Sequence, residues 1–326
     1  MRIAIADAGY AAYDIEQRVS ESIGARLEVR QCVTEDDVLA LAEDADGLVV
    51  RLQPITPRVI GGLDRCRVIA RYGTGYDNVA VAAATERGIV VANVVGFGVN
   101  EVAEHAIALL LAGARRIVAH DRAIRTGAWD IGQRDPIHRI SGSTLGLVGY
   151  GRIARAVQAK LAGFELRTLA YDPYVDAAEI RAHGAEPVDL PTLLREADLI
   201  SIHAPLTAET RHLIDRAALA LVKPTAVLVN TGRGSLVDTT AVVDALEEGR
   251  LAAAGLDVLE TEPPTADDPI RRAERAIVLD HAGWYSEESI RTLQQGAIDA
   301  VAAVLTGRRP ASVVNPEVYA NLRQVG

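Results

Sequence analysis

Residues Leu145–Ala154 read LGLVGYGRIA, and this stretch decides the fold. Leu145–Val148 is an apolar run of strand type that feeds directly into Gly149-Tyr150-Gly151-Arg152-Ile153-Ala154, where a helical pattern begins. The first glycine permits a tight turn, and the second lets the backbone come close to a pyrophosphate. Amides at the helix N-terminus then meet the negative charge. Ala154 stands at the third position, which the fingerprint tolerates. Asp172 ends the run RTLAYD about 20 residues further on, where a carboxylate accepts hydrogen bonds from the adenine ribose and repels a 2′-phosphate. The expected cofactor is therefore NAD(H). Asp172 also begins an Asp-Pro pair, which by itself reads as a turn.

Working outward, short apolar runs alternate with helical patterns, the mark of βαβ units and a parallel sheet. After Leu145 the strand candidates continue as RTLAYD, DLISIHA, AVLVN, AAGLDV and AIVLD, six in all. Helical patterns lie between them, near Ile153–Leu161, Ala177–His183, Leu190–Glu196, Asp215–Leu221 and Thr239–Glu248. An earlier series has candidate strands at Arg2–Asp7, Gly47–Arg51, Val68–Arg71 and Ile89–Val91, and lacks a phosphate fingerprint. One helical segment is expected from about Asn100 to Thr126, followed by a loop over Gly127–Gly142, and a last helix over about Glu287–Thr306. The fold class is α/β, with two Rossmann-like, doubly wound parallel-sheet domains, one flavodoxin-like and one NAD-binding, and a cleft between them. Residues 1–98 plus 285–326 would form the substrate domain and residues 99–284 the NAD-binding domain.

Composition narrows the class. The 326 residues are 49% hydrophobic and 24% charged, enough for a large core and too apolar for disorder. A net charge of −10 gives no reason to bind nucleic acid or an anionic membrane. The longest apolar stretch, Ala106–Ala112, is far too short to span a bilayer, and MRIAIADAGY lacks the apolar region of a signal peptide. A cytoplasmic protein is expected. Two cysteines, Cys32 and Cys66, make neither a disulfide framework nor a cysteine metal site. No HExxH or other ligand spacing indicates a metal, and no G-x-S-x-G elbow indicates a serine nucleophile.

Three strand-end segments carry polar groups suited to hydride transfer: Asn230-Thr231-Gly232-Arg233-Gly234, Asp257 with Glu262, and His281. Ligands of doubly wound sheets bind at the carboxyl ends of the strands, so these segments should converge. Reduction of a 2-oxo acid needs a cation to hold the carboxylate, which the arginine fork does in two-pronged fashion. It also needs a proton donor near neutral pH, for which histidine is suited, and a carboxylate beside that histidine stabilises the imidazolium. Arg233, His281 and Glu262 supply the set. The remaining histidines, His105, His120, His138, His183 and His212, read as structural or exposed, and His203 as intermediate.

With GYGRIA, the later motifs NTGRGSLVD, GLDVLETEP and HAGWYSEES resemble the D-isomer-specific 2-hydroxyacid dehydrogenase family. The resemblance includes RYGTGYDN and NEVAEHAIALLLAGARR and covers nearly the whole chain. HAGWYSEES is especially similar to the branch of the C-terminal-binding-protein corepressors. The resemblance implies that Arg233 binds the substrate carboxylate and carbonyl, that His281 is the acid/base and that Glu262 is its partner. It implies further that Asp257 lies on the nicotinamide side, that Arg152 and Ile153 cover the pyrophosphate, and that His203, Pro205, Thr231 and Gly283 line the cofactor cleft. Tyr72, Gly73, Thr74 and Gly75 would offer backbone amides to the substrate, with Arg51 facing the same cleft and Trp284 walling the pocket. The region 100–140 would form a homodimer interface. Two departures stand out. Asp280 precedes the histidine where the family usually has proline, and a chain running about 20 residues past its last helix leads us to expect no appended regulatory domain. The competing expectations are an NAD(H)-sensing, corepressor-type binding protein and a dehydrogenase acting on an unusual oxyanion.

Overall fold

The computed structural model describes residues 1–129 and 136–322. By its contacts the chain divides into two units: Met1–Phe97 with the chain from Ser286 onward, and Gly98–Tyr285.

The first unit starts with β1 (Arg2–Ile5), α1 (Asp14–Ser22), β2 (Arg26–Val29), α2 (Glu35–Ala42) and β3 (Gly47–Val50). It continues with α3 (Pro57–Gly61), β4 (Val68–Arg71), α4 (Val81–Glu86) and β5 (Val90–Asn93). All pairings are parallel and the order is β2-β1-β3-β4-β5, the flavodoxin-like order. Leu48, Val50, Ile69 and Val91 fill one face with residues of α2 and α3. The C-terminal helix Glu287–Leu305, opened by a Ser286–Ser289 capping box, covers β3, β4 and β5. Its close approach requires Gly47, where a Cβ would lie 2.7 Å from Val301 Cγ1.

The second unit contains α5 (Val99–Ala114), α6 (Ile117–Arg125), β6 (Thr144–Val148), α7 (Arg152–Lys160), β7 (Arg167–Tyr171), α8 (Ala177–Ala182) and β8 (Glu186–Pro187). After these come α9 (Leu190–Glu196), β9 (Leu199–Ile202), α10 (Arg216–Leu219), β10 (Val227–Asn230), α11 (Thr239–Glu247), β11 (Ala253–Leu256) and β12 (Ala276–Val278). The helix from Glu287 is then α12. The parallel sheet runs β12-β11-β10-β9-β6-β7-β8, a dinucleotide-binding order with one strand added at the β12 edge. Its central strands β6, β9, β10 and β11 are buried on both faces. Leu145 and Leu147 point to a core shared with α5 and α7, while Val148, Ile200 and Ile202 point to the core under α9 and α11.

Three expectations need correction. The helix expected over 100–126 is two helices, because Arg116 takes a left-handed conformation (φ 56°) between α5 and α6 and its side chain bonds the Ala252 carbonyl. The fourth strand expected in the first unit is β5 and runs Val90–Asn93 instead of Ile89–Val91, and the strand Arg26–Val29, read as no element, forms the β2 edge. The second sheet has seven strands among the described residues, the extra one being the two-residue edge β8. In the loop expected at 127–142, residues 130–135 lie outside the described residues.

Candidate active site

The turn after β6 is built around Gly149 at φ 86°, where a Cβ would sit 2.6 Å from the Ala204 amide nitrogen just beyond β9. Only glycine fits that double demand. Gly151 caps α7 without any side-chain cap, and a Cβ there would meet nothing within 4 Å. Its open side and the uncapped amides behind it form a cradle for an anion. Ala154 is fully buried against the sheet, Ile153 is half-buried and Arg152 is exposed. Asp172 closes the loop: Oδ2 accepts the Tyr150 N–H at 2.8 Å, and Oδ1 accepts from Tyr174 at 2.9 Å and Val175 at 3.2 Å. The residue thus makes the local turn that Asp-Pro suggested, while Oδ2, which accepts one donor, keeps capacity for another.

Two positions line the β9 end. His203 donates its backbone N–H to the Val148 carbonyl, and its ring nitrogen Nε2 lies 2.9 Å from Ser201 Oγ. The ring is enclosed even though the residue keeps some surface, and burial pushes its pKa down to about 4. Pro205 follows, with its carbonyl taken by the Thr210 hydroxyl.

At the end of β10, buried Asn230 braces the loop that carries Arg233. Its Nδ2 donates to the Arg233 carbonyl at 2.8 Å, and its Oδ1 accepts from the Gly232 amide at 3.0 Å. Thr231 is buried, and its hydroxyl has no partner among the described residues. Arg233 is half-buried with extended backbone and donates to the Gly232 carbonyl at 2.9 Å. The next residue, Gly234, abuts the Leu259–Glu260 backbone, so the loop of Arg233 and the segment leading to Glu262 are pressed together.

Glu262 Oε1 accepts the Leu259 N–H at 2.9 Å and Oε2 lies 2.8 Å from His281 Nδ1. Burial would raise this carboxyl's pKa, but the His281 contact and the Leu259 amide hold it below the usual range. His281 follows β12 in a left-handed conformation (φ 60°) and hands its backbone N–H to the Asp257 carbonyl at 2.8 Å. Asp280 is exposed. The Asp257 carboxylate, 2% exposed, accepts from Ala282 at 3.0 Å and Gly283 at 2.9 Å. It also meets His105 Nε2 at 3.1 Å, a close but poorly aligned approach. His105, expected to be structural or exposed, is a partner of Asp257 that the sequence does not announce. It lies on α5 among alanines and leucines, with no local signal of its remote carboxylate. Trp284 packs beside Gly98 at the start of α5 and meets Tyr285 edge-to-face at 6.0 Å.

In the first unit, Arg51 directly follows β3, with its N–H on the buried Asp7 carboxylate at 2.6 Å and its guanidinium 5.7 Å from the Tyr10 ring centre. Tyr72 is a core residue whose hydroxyl donates to buried Glu16 at 2.6 Å. The loop after β4 offers fewer amides than expected. Tyr72 N–H is given to the Val50 carbonyl and Gly73 N–H to the Arg71 carbonyl, which leaves Thr74 and Gly75 for an anion.

A doubly wound sheet in dinucleotide order, with an open glycine cradle and an arginine, a glutamate and a histidine at its strand ends, defines an NAD-binding oxidoreductase. The model of the D-isomer specific 2-hydroxyacid dehydrogenase NAD binding domain matches residues 107–283. The glyoxylate reductase of Korarchaeum cryptofilum is 40% identical over 285 residues, 86% of this chain and 86% of that protein. The D-3-phosphoglycerate dehydrogenase of Methanocaldococcus jannaschii is 38% identical over 91% of this chain, which spans only 57% of that longer protein. Among solved structures, the D-lactate dehydrogenase of Escherichia coli superposes with a TM-score of 0.83 at 30% identity, over 96% of this chain and 100% of that one. The chain belongs to the D-isomer specific 2-hydroxyacid dehydrogenase family, whose members are NAD-dependent oxidoreductases.

Proposed function

We propose that this protein interconverts a 2-oxo acid and its (R)-2-hydroxy acid, with Arg233 orienting the substrate and the Glu262–His281 pair moving the proton. The 2.8 Å contact between His281 Nδ1 and Glu262 Oε2 carries the reading. It leaves His281 Nε2 as the atom that gives a proton to the carbonyl oxygen in reduction and takes one from the hydroxyl in oxidation. Glu262, held ionised, steadies the ring's orientation and its charged form. Arg233 pairs its guanidinium fork with the carboxylate and polarises the neighbouring carbonyl.

NAD(H), when bound, supplies or accepts the hydride. The open side of Gly151 and the unpartnered, buried Thr231 hydroxyl fit such a dinucleotide. Gly149, Gly151, Arg152 and Ile153 would hold its pyrophosphate and Asp172 its ribose, while His203, Pro205, Thr231, Asp257 and Gly283 line the remainder. We assign substrate binding also to residues 1–98 plus 285–326, through Arg51 and the backbone amides of Thr74 and Gly75, those of Tyr72 and Gly73 being already spent, and to Trp284. A homodimer through 100–140 is supported by α6, which buries none of its residues and exposes Ile117 and Ile124. A cytoplasmic location agrees with two buried cysteines, Cys32 and Cys66, that are not joined in a disulfide.

The test is NADH consumption with a panel of 2-oxo acids, from glyoxylate and pyruvate to branched, aromatic, dicarboxylic and phosphorylated members. Turnover is expected with at least one, and His281→Ala should lower it by about 10²–10⁴-fold. NADH binding with no turnover across the panel would overturn the enzyme reading in favour of a cofactor-sensing binding protein.

A further inference from the structure

Beside the Glu262–His281 pair lies a second imidazole–carboxylate contact that the reaction as described does not use. His105 Nε2 on α5 approaches Asp257 Oδ1 to 3.1 Å. Asp257 is almost wholly buried, and a carboxylate at that depth is costly unless several groups partner it. Asp257 holds three consecutive amides: its carbonyl takes His281 N–H, and its carboxylate takes those of Ala282 and Gly283. The hold has a purpose, because His281 is not glycine and its left-handed backbone persists only where the surroundings enforce it. Packing there is tight: a Cβ on Gly283 would lie 2.7 Å from Asp257 Oδ2 and 3.1 Å from His105 Cδ2.

We propose that His105 is a positioning residue for proton transfer: by partnering Asp257 it keeps that carboxylate on the Ala282 and Gly283 amides, and so keeps the His281 ring on Glu262. The inference rests on the reading of His281 as the proton-transfer group. The titratable groups facing Asp257 are His105 from α5, with Glu262 and His281 from the segments after β11 and β12. Burial pushes the Asp257 carboxyl up, and His105 with the two amides outweighs it, holding the group ionised. Without His105 the two amides alone face a buried charge, and the segment loosens.

Amide hydrogen exchange of the cofactor-free protein reads the clamp without reference to activity. In His105→Leu, peptides spanning 281–283 should exchange about tenfold faster or more, with the Gly149–Gly151 loop unchanged. With NADH and glyoxylate, or whichever panel member turns over, kcat should fall roughly 10–100-fold, as when an outer partner of a metal ligand is removed, while KM for the oxo acid stays near wild type. His105→Gln, which restores an N–H at similar reach, should recover both readouts. Wild-type exchange and kcat in the leucine variant would overturn the proposal. So would a glutamine variant as impaired as the leucine one, since that marks ring packing as the cause. If the leucine variant fails to fold, His105→Asn, whose amide is too short to reach, takes its place under the same criteria. Full turnover in His281→Ala would instead refute the proton-transfer reading, and the exchange data would still judge the clamp.

Discussion

Gly234 and Leu259 meet backbone to backbone, so closely that a Cβ on the glycine would lie 1.9 Å from the Leu259 carbonyl carbon and 2.4 Å from the Glu260 nitrogen. No side-chain rotation relieves such a clash, because both neighbours are main-chain atoms. The contact fixes the distance between the loop of Arg233 and the segment of Glu262, and with it the relation of anion binder to acid/base pair.

Gly234→Ala should therefore part these segments. A displacement of about 1 Å at a reacting centre costs on the order of 10²-fold, so kcat/KM should fall by that order. Overpacking should also cost about 1–3 kcal/mol in denaturant unfolding. Gly163→Ala is the control, since a Cβ there meets nothing within 4 Å. Equal activity and stability in the two variants would show that the contact does not set the site's geometry.

Asp172→Ser should change cofactor choice and loop order together. The carboxylate that would face the ribose also holds Tyr150, Tyr174 and Val175 through their amides. Losing a charged hydrogen bond of about 1.5–3 kcal/mol should lower NADH kcat/KM by roughly tenfold or more. NADPH should lose less, because the repulsion of its 2′-phosphate goes too. A kcat/KM ratio of NADH to NADPH that stays at the wild-type value would leave Asp172 with the loop clasp alone.

The strands that position the site were legible because they are buried on both faces and so read as unbroken apolar runs, as in Leu199–Ile202 and Val227–Asn230. The strands that escaped are edges: Arg26–Val29 is half-exposed and mixes charge with leucine and valine, and Glu186–Pro187 is two residues long. The break at Arg116 escaped because neither glycine nor proline marks it. At the site, the strand-end segments carrying Arg233, Glu262 and His281 could be read from residue types at places where doubly wound sheets bind ligands. His105 could not. Its meaning depends on Asp257, far away in sequence, and an alanine-rich helix gives a histidine no other distinguishing context.

His203 makes the stability of the fold depend on pH with a sign that can be worked out. Its folded pKa, about 4, lies below the ordinary 6.5, so between these values the unfolded chain carries a proton that the folded chain refuses. Stability therefore rises with pH across that window. It is complete above about 6.5 and is lost progressively as the pH falls toward about 4. Glu16 acts in the opposite sense: burial raises its pKa, so folding favours its protonated form. The wild-type slope mixes the two, and the difference between wild type and His203→Gln isolates the histidine. Glutamine keeps a polar partner for Ser201 but does not titrate. In thermal unfolding, Tm of the wild type should drop more steeply on acidification than that of His203→Gln, with the curves parallel above neutrality. Parallel curves over the whole range would mean that His203 accepts its proton in the folded state as readily as in the unfolded one, and that its ring is open to water.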